Sequence, residues 1–409
     1  MVHSHGPANL KGNPERPRWE LADVIRLHGR DFFSSHPLPV LHLKILRAIE
    51  RCRTISLGGH LERCDLCGFE RPAYNSCRNR HCPKCQSLNK ARWLQAHLSE
   101  VLPVDYFHVV FTLPHELNLL ILSNKWALLN DLFSACSQTL LTLGQNNLGG
   151  KAGFIAILHT WDQNLNAHFH LHCLIPAGVL SDDARRWNHA QKGFLFPVRA
   201  LAKVFRAKYL DLLRHRFDEG GLIFPGQAAT FQSPASFSTL FVGLAQKRWV
   251  VYAKRPFGGP QKTLDYLGRY THRVAISNNR ILNVDKDGVT FAFRDRKDRN
   301  RVKKTALSGD EFLRRFLLHA LPSGFVRIRH FGFLANRAKK NDLPTCRQVL
   351  GLPQPRQAPK ASNAQLLRDL TGIDISRCPI CRRGKMLAVA DLPSLTQTIH
   401  REVPICDSS

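Results

Sequence analysis

The sequence predicts an α+β protein, a central antiparallel sheet with flanking helices, preceded by a small N-terminal metal-binding domain. Three observations carry that expectation. Short β-rich runs stand between longer stretches of helical apolar spacing, one of those runs alternates histidines with apolar residues, and cysteines gather in two places.

Taken in order, residues 1–20 are polar, contain Pro and Gly and lack periodicity, so they read as a mobile arm, with order starting near Trp19. Residues 21–100 carry helical spacing up to Cys52 and then a cysteine cluster, the pattern of a zinc-binding domain with a helical lead-in. Residues 101–340 form the central domain. Tyr106 to Pro114 is a strand ended by proline, Glu116 to Leu143 is helical, Gly153 to Trp161 is a second strand and His168 to Pro176 a third. Helical, basic segments at 198–218 and 236–249 are expected to form a helical insertion of about 180–248. A strand at 249–253, a turn at 256–260 and a helix from Gln261 to about Arg273 follow. Strands at 280–284 and 288–294 and a helix at 309–321 complete the region. Residues 341–409 read as a Pro-, Gln- and Ala-rich linker to a basic tail with one CxxC pair.

Composition narrows the function. Against 31 Asp and Glu stand 59 Lys and Arg, a net charge of +28, so the natural partner is a polyanion such as DNA. No apolar run approaches the length of a membrane span and no secretory leader is visible, which makes a cytoplasmic, nucleoid-associated location the expectation. In a reducing compartment twelve cysteines point to metal rather than disulfides.

Ala167-His168-Phe169-His170-Leu171-His172-Cys173 places three histidines on one face of a strand and apolar side chains on the other. Imidazoles two residues apart on a strand can converge on one divalent ion. Downstream, Tyr266 and Tyr270 stand one helical turn apart, their β-carbons roughly 6 Å from each other, so both phenols can address one reaction centre. A free phenol is largely protonated at neutral pH and becomes a useful phosphate nucleophile only with help from a metal or base. The preceding Lys254-Arg255-Pro256-Phe257-Gly258-Gly259-Pro260 would bring cations close to a phosphate backbone.

Cys64-x-x-Cys67 and Cys82-x-x-Cys85, fourteen residues apart, have paired-knuckle spacing for one tetrahedral structural Zn2+. Cys77, His81, Cys52 and His60 could make a second site. Arg71, Arg78, Arg80, Lys84 and Arg92 surround the site, which either holds a small basic surface against DNA or has a purely structural role. Cys378-x-x-Cys381 resembles half a ribbon with no second half in the sequence nearby, so it either borrows ligands or goes without metal.

The order of an apolar strand, a histidine strand and a tyrosine helix resembles the HUH endonucleases, and the Y-x-x-x-Y pair resembles their two-tyrosine branch. The strings YLGRYTHRVAISNNR from Tyr266 to Arg280, YNSCRNRHCPKCQ from Tyr74 to Gln86 and GFVRIRHFGFLANR from Gly324 to Arg337 are more closely similar to the insertion-sequence-ninety-one-type transposases, over roughly residues 20–390. The resemblance implies an HUH endonuclease-like central sheet and rolling-circle transposition through a 5′-phosphotyrosine. It implies Tyr266 and Tyr270 as nucleophiles and His170 and His172 as the metal pair. His168 would replace either or be the third ligand, ahead of Asp162 and Gln163. The catalytic ion would be Mg2+ or Mn2+, and Lys254, Arg255, Arg269, Arg273, Arg78 and Arg80 would contact single-stranded DNA. A plasmid or phage replication initiator would need the same strand and helix. A zinc protein that merely coats nucleic acid leaves the histidines and tyrosines unexplained, and a metal-independent tyrosine recombinase leaves the histidines without a role.

Overall fold

The computed structural model describes residues 17–191, 193, 195–257, 263, 268, 274–295, 298–355 and 361–395. It is a mixed α+β protein built on a five-stranded antiparallel sheet. Its strands are β3 (Tyr106–Thr112), β5 (Gly153–Trp161), β6 (Ala167–Pro176), β9 (Val251–Phe257) and β13 (Ile328–Gly332), in the order β13-β5-β6-β3-β9. β5 and β6 are central and almost wholly buried, which is why β5 reads as a near-continuous apolar run.

Period-two alternation divides the sheet's faces. Phe169, Leu171, Cys173 and Ile175 of β6 join Phe107, Val109 and Phe111 of β3 and Phe154, Ala156 and Leu158 of β5 in one core. Against that face lie α5 (Lys125–Leu148) and α6 (Val198–Asp218), with Phe133, Leu140, Phe205 and Tyr209 buried in the same cluster. α6 is therefore a layer of the core, where the sequence suggested an added insertion. A fully buried side chain of this size stabilises the fold by about 1.5–3 kcal/mol.

The opposite face carries the histidines at one end and Ile155, Ile157 and Leu174 at the other. Over it lie Trp93 and Leu94 of α3 (Pro83–His97) and Leu343 and Cys346 of the helix Lys339–Val349. That helix begins just before residue 341, where the sequence places the start of a linker, and runs into that stretch, with Leu343 and Cys346 buried. A third core joins distant parts of the chain. α1 (Leu21–Ser35) and α2 (Val40–Glu50) pack with the three-stranded sheet Ile281–Asp285, Gly288–Asp295, Arg301–Leu307 and with the helix Gly309–Leu318. The backbone N–H of Leu21 donates to Asn278 Oδ1, 3.1 Å away. Arg280, the last residue of the transposase-like tyrosine string, donates to the Ala292, Ala275 and Gln163 carbonyls and so ties this module to the β5–β6 loop.

A second three-stranded sheet unites the ends of the chain. β1 (Gly59–Cys64) pairs with β2 (Glu70–Tyr74) on one side and with β14 (Met386–Leu392) on the other. The C-terminal tail is thus a strand of the N-terminal sheet. Among the described residues no helix is long and apolar enough to cross a membrane.

Candidate active site and metal centres

At the rim of the central sheet His159 of β5 lies opposite His170 of β6, and His172 is two residues further along the same face. One ring nitrogen of each falls within 4.8 Å of the others, and all three side chains are buried. The ring centroids are 4.5 Å apart for His159–His172, 4.9 Å for His170–His172 and 5.4 Å for His159–His170. The third histidine of this group is His159, where the sequence suggested His168. A register shift between His159 and Trp161 breaks the ladder beside His168, whose ring stands next to that of His170, centroids 4.8 Å apart, outside the converging set. Asp162 is engaged elsewhere: its carboxylate accepts from the N–H groups of Asn164 and Asn166 at 2.8 Å and builds the β5–β6 turn. Gln163 Oε1 accepts from the Arg294 N–H.

Hydrogen bonds prescribe how the rings present their nitrogens. His170 Nδ1 lies 3.0 Å from the His168 carbonyl oxygen, which can only accept, so Nδ1 carries the proton and Nε2 keeps its lone pair. His172 Nδ1 is 2.8 Å from Nε2 of His108, a buried histidine on β3 that the sequence did not single out. Burial, and then the Lys254 ammonium, hold the His108 pKa down at about 4, so this ring is neutral. In the tautomer in which His172 Nδ1 donates to this neutral ring, the His172 Nε2 carries a lone pair, the outer-shell arrangement by which proteins orient metal-binding histidines. With three imidazoles and no carboxylate among the described members of the group, the donors suit Mn2+ better than Mg2+.

β9 borders this face. Tyr252 pairs with Val110 and Lys254 with His108, so both side chains emerge on the histidine side, and both are exposed. Tyr252 is a site feature the sequence did not reveal. Tyr266, Tyr270, Arg269 and Arg273 lie outside the described residues, as does the side chain of Arg255. Between 258 and 273 only Thr263 and Gly268 are described, both in helical conformation, with Thr263 fully buried. A β-carbon on Gly268 would come within 2.8 Å of Lys90 Cε and 3.1 Å of Leu94 Cδ1, so Gly268 lies against α3, which itself covers part of the histidine face.

The cysteines form two groups, divided differently from the sequence expectation. Cys82 and Cys85 meet Cys52 and Cys77, whereas Cys64 and Cys67 meet Cys378 and Cys381. The expected set of Cys64, Cys67, Cys82 and Cys85 is split because the β1–β2 hairpin carries its knuckle away from the start of α3 and toward the C-terminal tail. His81 and His60 join neither group. His81 is half-buried, its pKa lowered to about 3 by desolvation and by Arg80 and Arg327, and His60 faces Glu62 on β1 at 3.4 Å. Within the first group Sγ of Cys85 lies 3.6 Å from that of Cys52 and 3.7 Å from that of Cys77, and the Cys77 N–H points at Cys52 Sγ. Tetrahedral thiolates around Zn2+ at about 2.3 Å stand roughly 3.8 Å apart, while a disulfide needs about 2.05 Å, so the spacing is that of a zinc site. Of the nearby arginines, Arg78 is exposed, but Arg80 turns inward, donating to the Phe325 carbonyl at 2.6 Å, and is a structural strut.

Residues 153–342 match the family model described as "Putative transposase", and residues 24–113 match "Transposase zinc-binding domain". The chain is 44% identical over 384 residues to "Putative transposase y4qJ" of Sinorhizobium fredii, covering 92% of this chain and 96% of that relative. It is 28% identical over 323 residues to "Transposase for insertion sequence element IS801" of Pseudomonas savastanoi pv. phaseolicola, covering 79% and 76%. No solved structure matches. A basic α+β chain with a zinc-binding domain and these relatives is a transposase, a protein whose partner is DNA. More narrowly, the chain belongs to the IS91-type transposases.

Proposed function

We propose that this transposase nicks and rejoins single DNA strands as a two-tyrosine HUH enzyme, forming a 5′-phosphotyrosine during rolling-circle transposition. The observation that carries this reading is the convergence of His159, His170 and His172 at the rim of the central sheet. The residues fit a divalent ion, Mn2+ or Mg2+, which when bound would polarise the scissile phosphate and stabilise charge on the leaving oxygen. The phenol of Tyr266 or Tyr270 loses its proton as its oxygen bonds phosphorus. The P–O3′ bond breaks, the 3′ oxygen leaves as a hydroxyl, and the 5′ phosphate stays on the protein. Attack by a 3′ hydroxyl on that phosphotyrosine reverses the step and joins strands. A second tyrosine lets another strand be opened while the first end is held. Tyr252 offers a stacking surface and Lys254 a cation beside the histidines, a pairing suited to unpaired bases on a phosphate backbone. Arg255, Arg269, Arg273 and Arg78 add positive charge along the path. The zinc of the N-terminal domain is held by Cys52, Cys77, Cys82 and Cys85, with Cys82 at the N-cap of α3 and Cys85 in its first turn.

The test is to incubate the protein with labelled single-stranded DNA from the element's terminus, with and without Mn2+ or Mg2+. A denaturation-resistant adduct that needs metal and maps to Tyr266 or Tyr270 is expected. Tight binding without any adduct would remove the phosphotyrosine mechanism.

A further inference from the structure

Cys64, Cys67, Cys378 and Cys381 form a second four-thiol group, half of it from the far end of the chain and well beyond residue 113, where the matched zinc-binding domain ends. Sγ of Cys64 lies 3.7 Å from that of Cys381, and Sγ of Cys67 lies 3.6 Å from that of Cys378. Again the separations approach the roughly 3.8 Å edge of a tetrahedral zinc tetrathiolate and are far from a disulfide.

The backbone around the thiols is built as two matching knuckles. After Cys67 comes Gly68 at φ 71°, and after Cys381 comes Arg382 at φ 57°, a left-handed conformation rare for a side chain of that size. Each turn aims N–H groups at sulfur. Leu66 and Cys67 donate to Cys64 Sγ at 3.5 Å, and Gly384 donates to Cys381 Sγ at 3.3 Å. Position 384 admits only glycine, since a β-carbon there would lie 2.4 Å from Cys64 Sγ and 2.7 Å from Asp65 Oδ1. The knuckles are also stitched to each other: Asp65 N–H donates to the Lys385 carbonyl at 3.1 Å, and Lys385 N–H donates to Asp65 Oδ1 at 2.8 Å.

Beyond its strand pairing and a few hydrogen bonds the ribbon has little apolar core. Its apolar cluster contains Met386 and Phe69 and otherwise only cysteines, while Leu66, Ile380, Leu387 and Val389 are exposed. A three-stranded sheet with so small a core needs a staple, and four converging thiols with donors aimed at them are the ligands of one.

We infer that Cys64, Cys67, Cys378 and Cys381 bind a second zinc ion, which clasps the C-terminal strand to the N-terminal sheet. The ion closes a loop of more than three hundred residues, so its removal releases β14 and the tail before it. This inference does not depend on the tyrosine chemistry. It concerns a different set of thiols from those assigned above to the N-terminal domain.

The first experiment measures zinc per chain in the full-length protein and in the Cys378→Ser/Cys381→Ser double variant. The difference should be one zinc ion, whatever the total, and equal contents would overturn the clasp. In case the variant fails to fold, the wild-type chain is stripped and titrated with Co2+. Two equivalents giving the thiolate-to-cobalt charge-transfer absorbance of four-sulfur sites are expected, and saturation at one equivalent overturns the proposal. Limited proteolysis of the same wild-type protein gives a third readout. Zinc should protect residues 361–392 and chelation should open them to cleavage, and an unchanged digestion pattern on zinc removal counts against the clasp.

Discussion

On the proposed metal site, His172 would offer one nitrogen to the ion while the other lies 2.8 Å from Nε2 of His108. Replacing His108 by alanine should raise the Mn2+ concentration for half-maximal adduct formation about 10-fold or more, the usual effect of losing an outer-shell partner, with the adduct still formed at saturating metal. Glutamine at 108, which keeps an acceptor, should recover part of that affinity, and an unshifted titration in both variants would assign His108 to packing alone. The ligand set has its own control: His159→Ala should impair metal use far more than His168→Ala, and equal effects would restore His168 as a ligand. A different histidine contributes to acid stability, alongside His42, His81, His108 and His330, whose pKa values burial also lowers. His319 is buried against Trp161, with Nε2–H donating to the Leu165 carbonyl and Nδ1 facing the Thr160 hydroxyl, and burial lowers its pKa from 6.5 to about 4. The folded protein keeps this ring neutral where the unfolded chain protonates it. Its contribution is therefore intact above pH 6.5 and is lost as pH falls toward 4, at most on the order of 3 kcal/mol. Urea midpoints of wild type and His319→Gln between pH 7.5 and 4.5 should show a shallower acid loss in the variant, and parallel curves would remove His319 from the account.

At the level of elements, β6 was legible because its alternation is local: His168, His170 and His172 interleaved with Phe169, Leu171 and Cys173 announce two unlike faces. His159 was not, because it stands with Thr160 in an otherwise apolar β5 and becomes meaningful only through the β5–β6 register, which the sequence does not state. The faint signal was that one histidine interrupts a run otherwise built for burial. His108 hides in β3 for the same reason. The cysteine partition was illegible on a further ground. Short separations close loops at the smallest entropic cost, so the nearest two CxxC pairs look like partners, yet strand pairing between β1 and β14 had already brought the distant pair closer. The edge strand β9 leads to a prediction of this scale. It sets Tyr252 and Lys254 beside the histidines and contributes no ligand, so Tyr252→Ala should weaken binding of single-stranded DNA roughly 10-fold through loss of one base–aromatic stack. Adduct formation at saturating DNA should hardly change. A fall in that maximal rate with unaltered binding would move Tyr252 from substrate grip to the reaction itself.

For the whole molecule, the order of segments along the chain suggests a separable zinc domain followed by a nuclease, and the packing argues against it. Leu21, Val24, Ile25 and Phe32 of α1, with Ile45, Leu46 and Ile49 of α2, are buried in one cluster with Ile276, Ile281, Val289, Phe291, Phe312 and Phe316. Cys52, Cys82 and Cys85 lie in the same cluster, so the first cysteine group sits at the joint between the two halves. A fragment beginning at residue 101 would uncover that surface and leave Asn278 without its bond to the Leu21 backbone. It would also strip β14 of the strand it pairs with and the histidine face of α3. Seven buried aliphatic and aromatic side chains at about 1.5–3 kcal/mol each sum to roughly 10–20 kcal/mol, as large as the whole stability of an ordinary domain. The expected outcome is that residues 101–409 produced alone aggregate or melt without a cooperative transition, while supplying residues 17–100 as a separate chain with Zn2+ restores folding in part. Circular dichroism melts and size-exclusion profiles of the two preparations decide it. A fragment that melts cooperatively and forms the DNA adduct unaided would show the N-terminal region to be an independent module, with the shared core a docking surface instead of a condition for folding.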